Sequence, residues 1–157
     1  MLTGLVLSIS ICILLVILLR SFFVVAIVKQ ESMTPTFKDG DAVLVIRRWP
    51  TRWLRKGQIV LIQPPCSLPS PEPFEVIPFI KRIVGLPGDS IPNVGRYPLN
   101  NHQLNWPSCV PPGHFFVQGD HMNSVDSRTW GAISISNFLG LVIMKIPYHV
   151  YGIEVPE

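Results

Sequence analysis

The sequence predicts a mainly β protein, with a twisted antiparallel or barrel-like sheet behind one N-terminal transmembrane helix. An uncharged apolar run opens the chain, and short segments rich in Val, Ile and Phe follow it. The 157 residues include 16 Pro and 11 Gly, which is too many helix breakers for a helical bundle. Only 15% of the residues are charged, well below the roughly 25% of an ordinary soluble protein.

The apolar run covers residues 2–19, which are 18 consecutive residues without a charged side chain. As a helix it is about 27 Å long, close to the roughly 30 Å hydrocarbon core of a bilayer. No basic residue precedes the run and no A-x-A pattern follows it, which favours a retained helix over a cleaved signal peptide. We therefore predict a transmembrane anchor over residues 1–20 and a β-rich domain over residues 21–157. Taken alone, Arg20 and Lys29 indicate a cytoplasmic C-terminal side.

Six segments after this run have the composition of strands, and Gly and Pro residues separate them. The segments are Phe22–Val28, Ala42–Ile46, Gln58–Ile62, Val76–Val84, His114–Val117 and Leu141–Ile146. Residues 63–78 contain six prolines, which predicts a stiff, exposed loop. The net charge is only +3, so the charge balance gives no reason to expect a nucleic acid as partner.

The first segment that suits catalysis contains Ser32, three residues before Pro35. The proline ring fixes its own φ and drives Thr34 towards an extended conformation. A serine beside such a rigid corner is held in place, as a nucleophile must be. A serine close to proline is more often part of an ordinary turn, so the segment alone leaves both interpretations open.

The second such segment places Lys81 in the middle of an apolar strand, on the same face as Phe79 and Ile83. Burial lowers the pKa of a lysine and can leave a neutral amine, which is able to take a proton from a serine hydroxyl. The alternative is an edge-strand lysine whose amine reaches water.

The third segment, residues 119–131, is a polar loop with two glycines. Loops of this composition are often no more than Asx turns. Asp126 and Arg128 form a candidate ion pair within it, and Arg82 is another possible partner for the carboxylate.

Together, in this order and behind an apolar helix, these segments resemble the type I signal peptidase family over roughly residues 12 to 146. The matching motifs are Ser32-Met33-Thr34-Pro35-Thr36, Gly40-Asp41 with residues 42–45, Lys81-Arg82 with Gly85 and Pro87-Gly88-Asp89, and Gly119-Asp120 with residues 123–131. Four ordered matches make the resemblance specific.

The resemblance implies a single-pass serine endopeptidase of the cell (inner or plasma) membrane, which removes signal peptides from preproteins after small residues at A-x-A-like sites. Ser32 is the implied nucleophile, Lys81 the implied general base, and Ser124 the hydroxyl that orients the lysine amine. A supporting charge network is implied for Asp126, Arg128 and Arg82. No cofactor is implied. The catalytic domain is expected on the extracytoplasmic side, which overrides the orientation indicated by Arg20 and Lys29.

The chain departs from the family pattern at two places. The segment between Gly119 and Asn123 is one residue shorter than in many relatives, and Gln30 stands where the family often has serine. An extended approach to Ser32 puts residues 30 and 32 on the same side of the chain. The Gln30 amide is therefore a candidate oxyanion donor beside the Ser32 N–H, and the alternative is a Gln30 that points to solvent.

Two other functions are compatible with the sequence. One is a specialised maturation or conjugation-type peptidase of the same family with one dedicated substrate. The other is a non-catalytic membrane anchor or assembly subunit, which the joint presence of Ser32, Lys81 and Ser124 disfavours. A Ser-His-Asp triad with His121 is also disfavoured, because relatives that use a histidine base have it at the position of Lys81.

Residues 47–56 combine five cations with Trp49 and Trp53. Tryptophan favours the headgroup region of a bilayer and cations favour anionic lipid, so we predict a membrane-interface contact. A solvated loop is the main alternative, and nucleic-acid binding is not expected.

The cysteines and histidines give two further expectations. Cys66 and Cys109 fall in predicted loops of the extracytoplasmic part, where a disulfide between them is permitted, with two free thiols as the alternative. The spacings of four candidate ligands match no standard zinc site, so no metal is expected; these ligands are His102, Cys109, His114 and His121.

Overall fold

Helix α1 (Leu2–Phe22) runs directly into the first strand of an antiparallel sheet. The structure, a computed structural model, describes residues 2–65, 77–91 and 108–149. Its strands are β1 (Phe23–Ile27), β2 (Asp41–Ile46), β3 (Ile59–Ile62), β4 (Phe79–Gly85), β5 (His114–Gln118), β6 (Ile133–Ser134) and β7 (Phe138–His149), and a short helix α2 (Ser127–Trp130) lies between β5 and β6. Each of the six predicted segments overlaps one of these strands, and β6 is found in addition.

The strands follow the order β1-β2-β7-β3-β4-β5-β6, and each described pairing is antiparallel. The predicted antiparallel sheet is confirmed, whereas the barrel-like closure is wrong. A closed barrel requires its first and last strands to pair, but β1 and β6 stand at opposite edges of an open sheet, and β6 is only two residues long. Strand β4 lies in the interior of this sheet, between β3 and β5.

Two apolar clusters form the core. The first consists of Leu54, Val60, Ile62, Ile83, Phe115, Val117, Ile133 and Leu141. The second consists of Val28, Met33, Phe37, Val43, Val45 and Ile80. The second cluster includes three residues of the loop between β1 and β2, so the core itself fixes the loop that contains Ser32.

Helix α1 presents exposed apolar side chains, with Leu7 64% and Leu14 59% exposed. Within the described residues, no helix has the combination of length and apolarity that crossing a bilayer requires, so the transmembrane helix predicted over residues 1–20 is not found. The domain division after residue 20 stays a prediction. Most of the predicted proline-rich loop, residues 66–76, lies outside the described residues.

Candidate active site

Ser32 lies in a loop between β1 and β2 that buried side chains hold in place. Met33 is fully buried and Phe37 is 6% exposed, and the Phe37 N–H donates to the Met33 carbonyl at 2.9 Å. Burying an apolar side chain of this size stabilises a fold by about 1.5–3 kcal/mol. Ser32 itself is half-buried. The loop therefore presents Ser32 from a fixed backbone.

Lys81 lies on β4 and is only 1% exposed. Its Nζ donates to Ser124 Oγ at 2.7 Å and lies 5.5 Å from the centre of the Phe79 ring. Burial lowers the pKa of Lys81 from 10.5 to about 8, while the Asp126 carboxylate opposes this shift and Arg128 adds to it. Of the two interpretations of Lys81, the buried amine is the one found, and the edge-strand alternative is wrong because β4 pairs on both sides.

Gly119 lets the polar loop after β5 come close to both serines. A Cβ atom at this position would overlap with Ser124 Oγ and with the Ser32 carbonyl oxygen, so a larger residue would push the segments apart. The His121 N–H donates to the same Ser32 carbonyl at 3.1 Å. These contacts bring Ser32 and Ser124 together, and Ser124 in turn contacts Lys81.

Asp126 is fully buried and organises the polypeptide behind Ser124. Its carboxylate accepts hydrogen bonds from the Gly119 N–H at 2.9 Å, the Arg128 N–H at 3.0 Å, and the Arg128 guanidinium at 2.8 and 2.9 Å. Burial acts to raise the pKa of Asp126, but the hydrogen bonds from Arg128 and Gly119 outweigh it and hold the pKa below its usual value. The predicted ion pair between Asp126 and Arg128 is present.

Arg82 binds a different carboxylate from the one that the sequence suggested. Its Nε and one terminal nitrogen donate to the two oxygens of Asp120 at 2.8 and 2.6 Å. Arg82 thus has a partner that the sequence did not indicate, and a single network of Arg82, Asp126 and Arg128 stays a prediction. Neighbouring residues on a strand point to opposite faces, so Lys81 and Arg82 meet different groups.

Sequence reasoning missed Asp120 and Thr36 as members of the site. The Thr36 hydroxyl contacts the Asp120 carboxylate and accepts from Arg82 at 3.2 Å, which ties the Ser32 loop to β4. The hydrogen bond from Arg82 holds the pKa of Asp120 below its usual value. The available signal was positional: β5 neighbours β4, and Asp120 is the first carboxylate after β5.

Gln30 does not approach Ser32 in an extended conformation, so that premise was wrong. Its φ is 71°, in the left-handed region, and its N–H donates to Asp39 Oδ1 at 2.6 Å. The side chain is exposed. The oxyanion-donor role of Gln30 loses its geometric premise and stays a prediction.

The two tryptophans of residues 47–56 differ in environment. Trp49 is half-buried and packs against the first core cluster, whereas Trp53 is 53% exposed. Their rings meet edge to face at 6.0 Å. Together with Arg55 and Gln58 they line a cleft of about 450 Å³. The Trp49 ring therefore packs partly against the core, and the membrane-interface role of Trp49 and Trp53 stays a prediction.

The remaining expectations concern cysteines and metals. Cys109 is exposed and free, and its predicted partner Cys66 lies outside the described residues, so the disulfide is not confirmed and stays a prediction. His102 also lies outside them. In the described ranges, no group of three or more His, Cys, Asp or Glu residues could hold a metal ion.

Proteins with similar sequences identify the family. Residues 2–96 and 93–147 match the family described as signal peptidase, peptidase S26. Signal peptidase I of Leptolyngbya laminosa is 30% identical over 154 residues, covering 88% of this chain and 76% of the relative. The mitochondrial ATP-independent inner membrane protease subunit 1b of Arabidopsis thaliana is 35% identical over 125 residues, covering 77% and 69%.

A further relative, the probable signal peptidase I-1 of Synechocystis sp., is 31% identical over 146 residues, covering 82% of this chain and 74% of the relative. The motifs that carry the predicted resemblance all lie within the matched ranges. The predicted resemblance is confirmed, and the chain belongs to the signal peptidase family, peptidase S26.

Proposed function

We propose that this protein is a serine endopeptidase that removes signal peptides from exported proteins, with Ser32 as nucleophile and Lys81 as general base. One observation carries the proposal. The Lys81 amine is almost completely buried, its pKa is lowered to about 8, and it donates to the Ser124 hydroxyl rather than to a carboxylate. A lysine that serves structure alone gains more from a direct carboxylate partner, which would keep it charged.

The proposed reaction proceeds through an acyl-enzyme. Lys81 Nζ takes the proton from Ser32 Oγ while Oγ attacks the scissile carbonyl carbon. The same proton then passes to the leaving amine as the C–N bond breaks. Lys81 next takes a proton from water, whose oxygen attacks the Ser32 ester, and this proton returns to Oγ as the ester bond breaks. No cofactor takes part.

Two groups support these steps. Ser124 holds Nζ at 2.7 Å, which restricts the amine to one orientation and favours proton transfer. The backbone N–H of Ser32 is the proposed oxyanion donor, since it belongs to the loop fixed by Met33 and Phe37.

The proposed substrates are preproteins, cleaved after small residues at A-x-A-like sites. The names of two relatives, signal peptidase I and probable signal peptidase I-1, support this substrate class. We place the reaction at the cell (inner or plasma) membrane, with residues 21–157 on the extracytoplasmic side, because the cleavage sites of exported proteins emerge there.

A dedicated maturation peptidase is the second candidate. Relatives named as mitochondrial inner membrane protease subunits have identities in the same range, for example subunit 2 of Danio rerio, which is 33% identical over 116 residues, covering 72% of this chain and 54% of the relative. Rates on several unrelated preproteins separate the two candidates, since a dedicated enzyme cleaves one of them and spares the rest.

Cleavage of a preprotein by Ser32→Ala tests the proposal. We expect the variant to lose at least 10³-fold in rate, because no other group supplies the nucleophile. The matched control is Ser136→Ala, which removes an exposed hydroxyl on the loop before β7 and should leave the rate unchanged. A wild-type protein as inert as Ser32→Ala on every preprotein would instead favour the non-catalytic anchor.

A further inference from the structure

The cationic loop, residues 47–56, is fixed at the point where α1 meets the sheet. The Arg47 N–H donates to the carbonyl of Phe22, the last residue of α1, at 2.8 Å. The Arg48 guanidinium lies over the Phe22 ring, 5.6 Å from its centre. Ile46, which precedes the loop, pairs with Phe23 at the start of β1. The loop therefore sits beside the C-terminal end of the helix.

Most cations of this loop carry no ion pair with any described residue. Lys56 pairs with Asp89 at 3.1 Å, whereas four exposed arginines have no described acidic partner; these are Arg47, Arg48, Arg52 and Arg55. Like charges held this close repel one another unless an anion joins them. The loop thus presents an unneutralised positive surface.

Aromatic and apolar groups accompany these cations. Trp53 is 53% exposed, and Arg52 lies over its ring at 5.3 Å. Exposed apolar side chains also occur on α1 and on β1, such as Val25 and Ile27. A soluble anion would contact only the arginines. A lipid surface offers phosphates to the arginines and an apolar boundary to Trp53 and its neighbours.

The cleft beside Trp53 adds a place for a headgroup. Its volume is about 450 Å³, and Arg55 stands in its wall beside Trp49 and Gln58. Arginine binds phosphate oxygens through two parallel N–H donors. We propose that the cationic loop docks on anionic phospholipid, with the four arginines at the phosphates and Trp53 at the headgroup boundary. This inference goes beyond the proposed peptidase activity and does not depend on it.

The test must isolate the loop from α1, because an apolar helix binds vesicles of any charge. The full chain is therefore reconstituted with lipids brominated on their acyl chains, and quenching of tryptophan fluorescence is measured. We expect quenching to increase when phosphatidylglycerol is added to phosphatidylcholine and to decrease again with salt. The Trp53→Phe variant should lose this charge-dependent part, since Trp53 is the exposed reporter.

A charge-matched pair of variants tests the arginines. The double variant Arg48→Gln/Arg52→Gln should reduce the effect of phosphatidylglycerol on tryptophan quenching about tenfold or more. Lys29→Gln with Lys38→Gln, which removes two exposed cations elsewhere, should leave it unchanged. Circular dichroism confirms that both double variants fold.

Three outcomes would overturn the lipid proposal. The first is tryptophan quenching that does not depend on phosphatidylglycerol. The second is an equal loss of this dependence in both double variants. The third is inorganic phosphate that competes with the vesicles as strongly as the anionic lipid does. RNA that competes with the vesicles would point instead to a nucleic-acid surface. Peptide cleavage by the detergent-solubilised variants is measured in parallel and should be unchanged, which keeps this result separate from the peptidase proposal.

Discussion

Lys81 and Arg82 are neighbours on β4, yet the protein handles these two cations in opposite ways. Lys81 is 1% exposed and its amine meets a hydroxyl, whereas the Arg82 side chain is 30% exposed and holds both oxygens of Asp120. Burial lowers the pKa of Lys81, and the hydrogen bond to Asp120 raises the pKa of Arg82. One face of the strand therefore produces a proton acceptor and the other a permanent charge.

The two faces nevertheless act on the same loop. Arg82 and Asp120 contact Thr36, which is four residues beyond Ser32. On the other face, Lys81 donates to Ser124. The Ser124 hydroxyl and the Ser32 carbonyl both lie next to Gly119. The ion pair on the Arg82 face therefore positions the loop, whereas burial on the Lys81 face produces the proton acceptor for Ser32.

The largest effect is expected for Lys81→Met, which keeps the length of the side chain and removes the amine. Cleavage should fall by at least 10³-fold because the proton acceptor is gone. The free energy of unfolding at pH 7 should rise, because the lowering of the pKa from 10.5 to about 8 corresponds to roughly 3 kcal/mol of cost for burying the charge. Urea unfolding and preprotein cleavage measure the two effects.

The sign of this stability change follows from proton binding. The unfolded chain binds the Lys81 proton more tightly than the folded chain, so the wild type should gain stability as the pH rises from about 8 to 10.5. The difference in unfolding free energy between Lys81→Met and wild type should narrow over this window. A variant that is less stable than wild type at pH 7 and retains cleavage would contradict both the buried charge and the assigned base.

The next effect is the pH dependence of the wild type. The neutral form of Lys81 is the active one, so kcat/KM should rise about tenfold per pH unit below the pKa and level off above about 8. Initial rates from pH 6 to 9.5 measure this profile. A rate that falls on going from pH 6 to pH 8 would mean that the reaction requires the protonated amine.

A smaller effect is expected on the other face. Arg82→Gln should lower kcat about tenfold and the unfolding free energy by about 1.5–3 kcal/mol, because Asp120 loses its charged donor. Thr36→Val should act in the same direction but more weakly, and Thr36→Ser should restore the rate because it keeps the hydroxyl. The midpoint of the pH profile should stay near that of wild type. A shift of the midpoint towards that of free lysine would show that the two faces are not separable.

The sequence predicted the Lys81 face better than the Arg82 face, for a physical reason. Strand alternation and an apolar neighbourhood are local properties, and they indicated a buried Lys81 beside the edge-strand alternative, between which the resemblance decided. The partner of Arg82 depends on the position of the loop after β5, which is a long-range property, so the sequence suggested Asp126 and did not indicate Asp120. The same limit applies to sheet closure, because edge positions depend on pairings between distant strands.

Local backbone conformation was the other source of error, and Gln30 illustrates it. Left-handed positions are usually signalled by Gly or Asn, and glutamine gives no such signal. The conformation was therefore assigned from the neighbouring strand. Tertiary contacts decide it instead, since the Gln30 N–H binds Asp39 across the base of the loop.

The smallest effect is expected from Gln30→Gly, compared with Gln30→Ala. Both variants remove the side-chain amide, but only glycine adopts a φ of 71° without strain. Gln30→Gly should therefore have a higher free energy of unfolding than Gln30→Ala, by about 1 kcal/mol. Because the Gln30 side chain is exposed, we expect kcat to change less than threefold in both. A true oxyanion donor would cost on the order of 10² to 10³ in kcat with little change in KM. A loss of that size in both variants would restore Gln30 to the oxyanion hole.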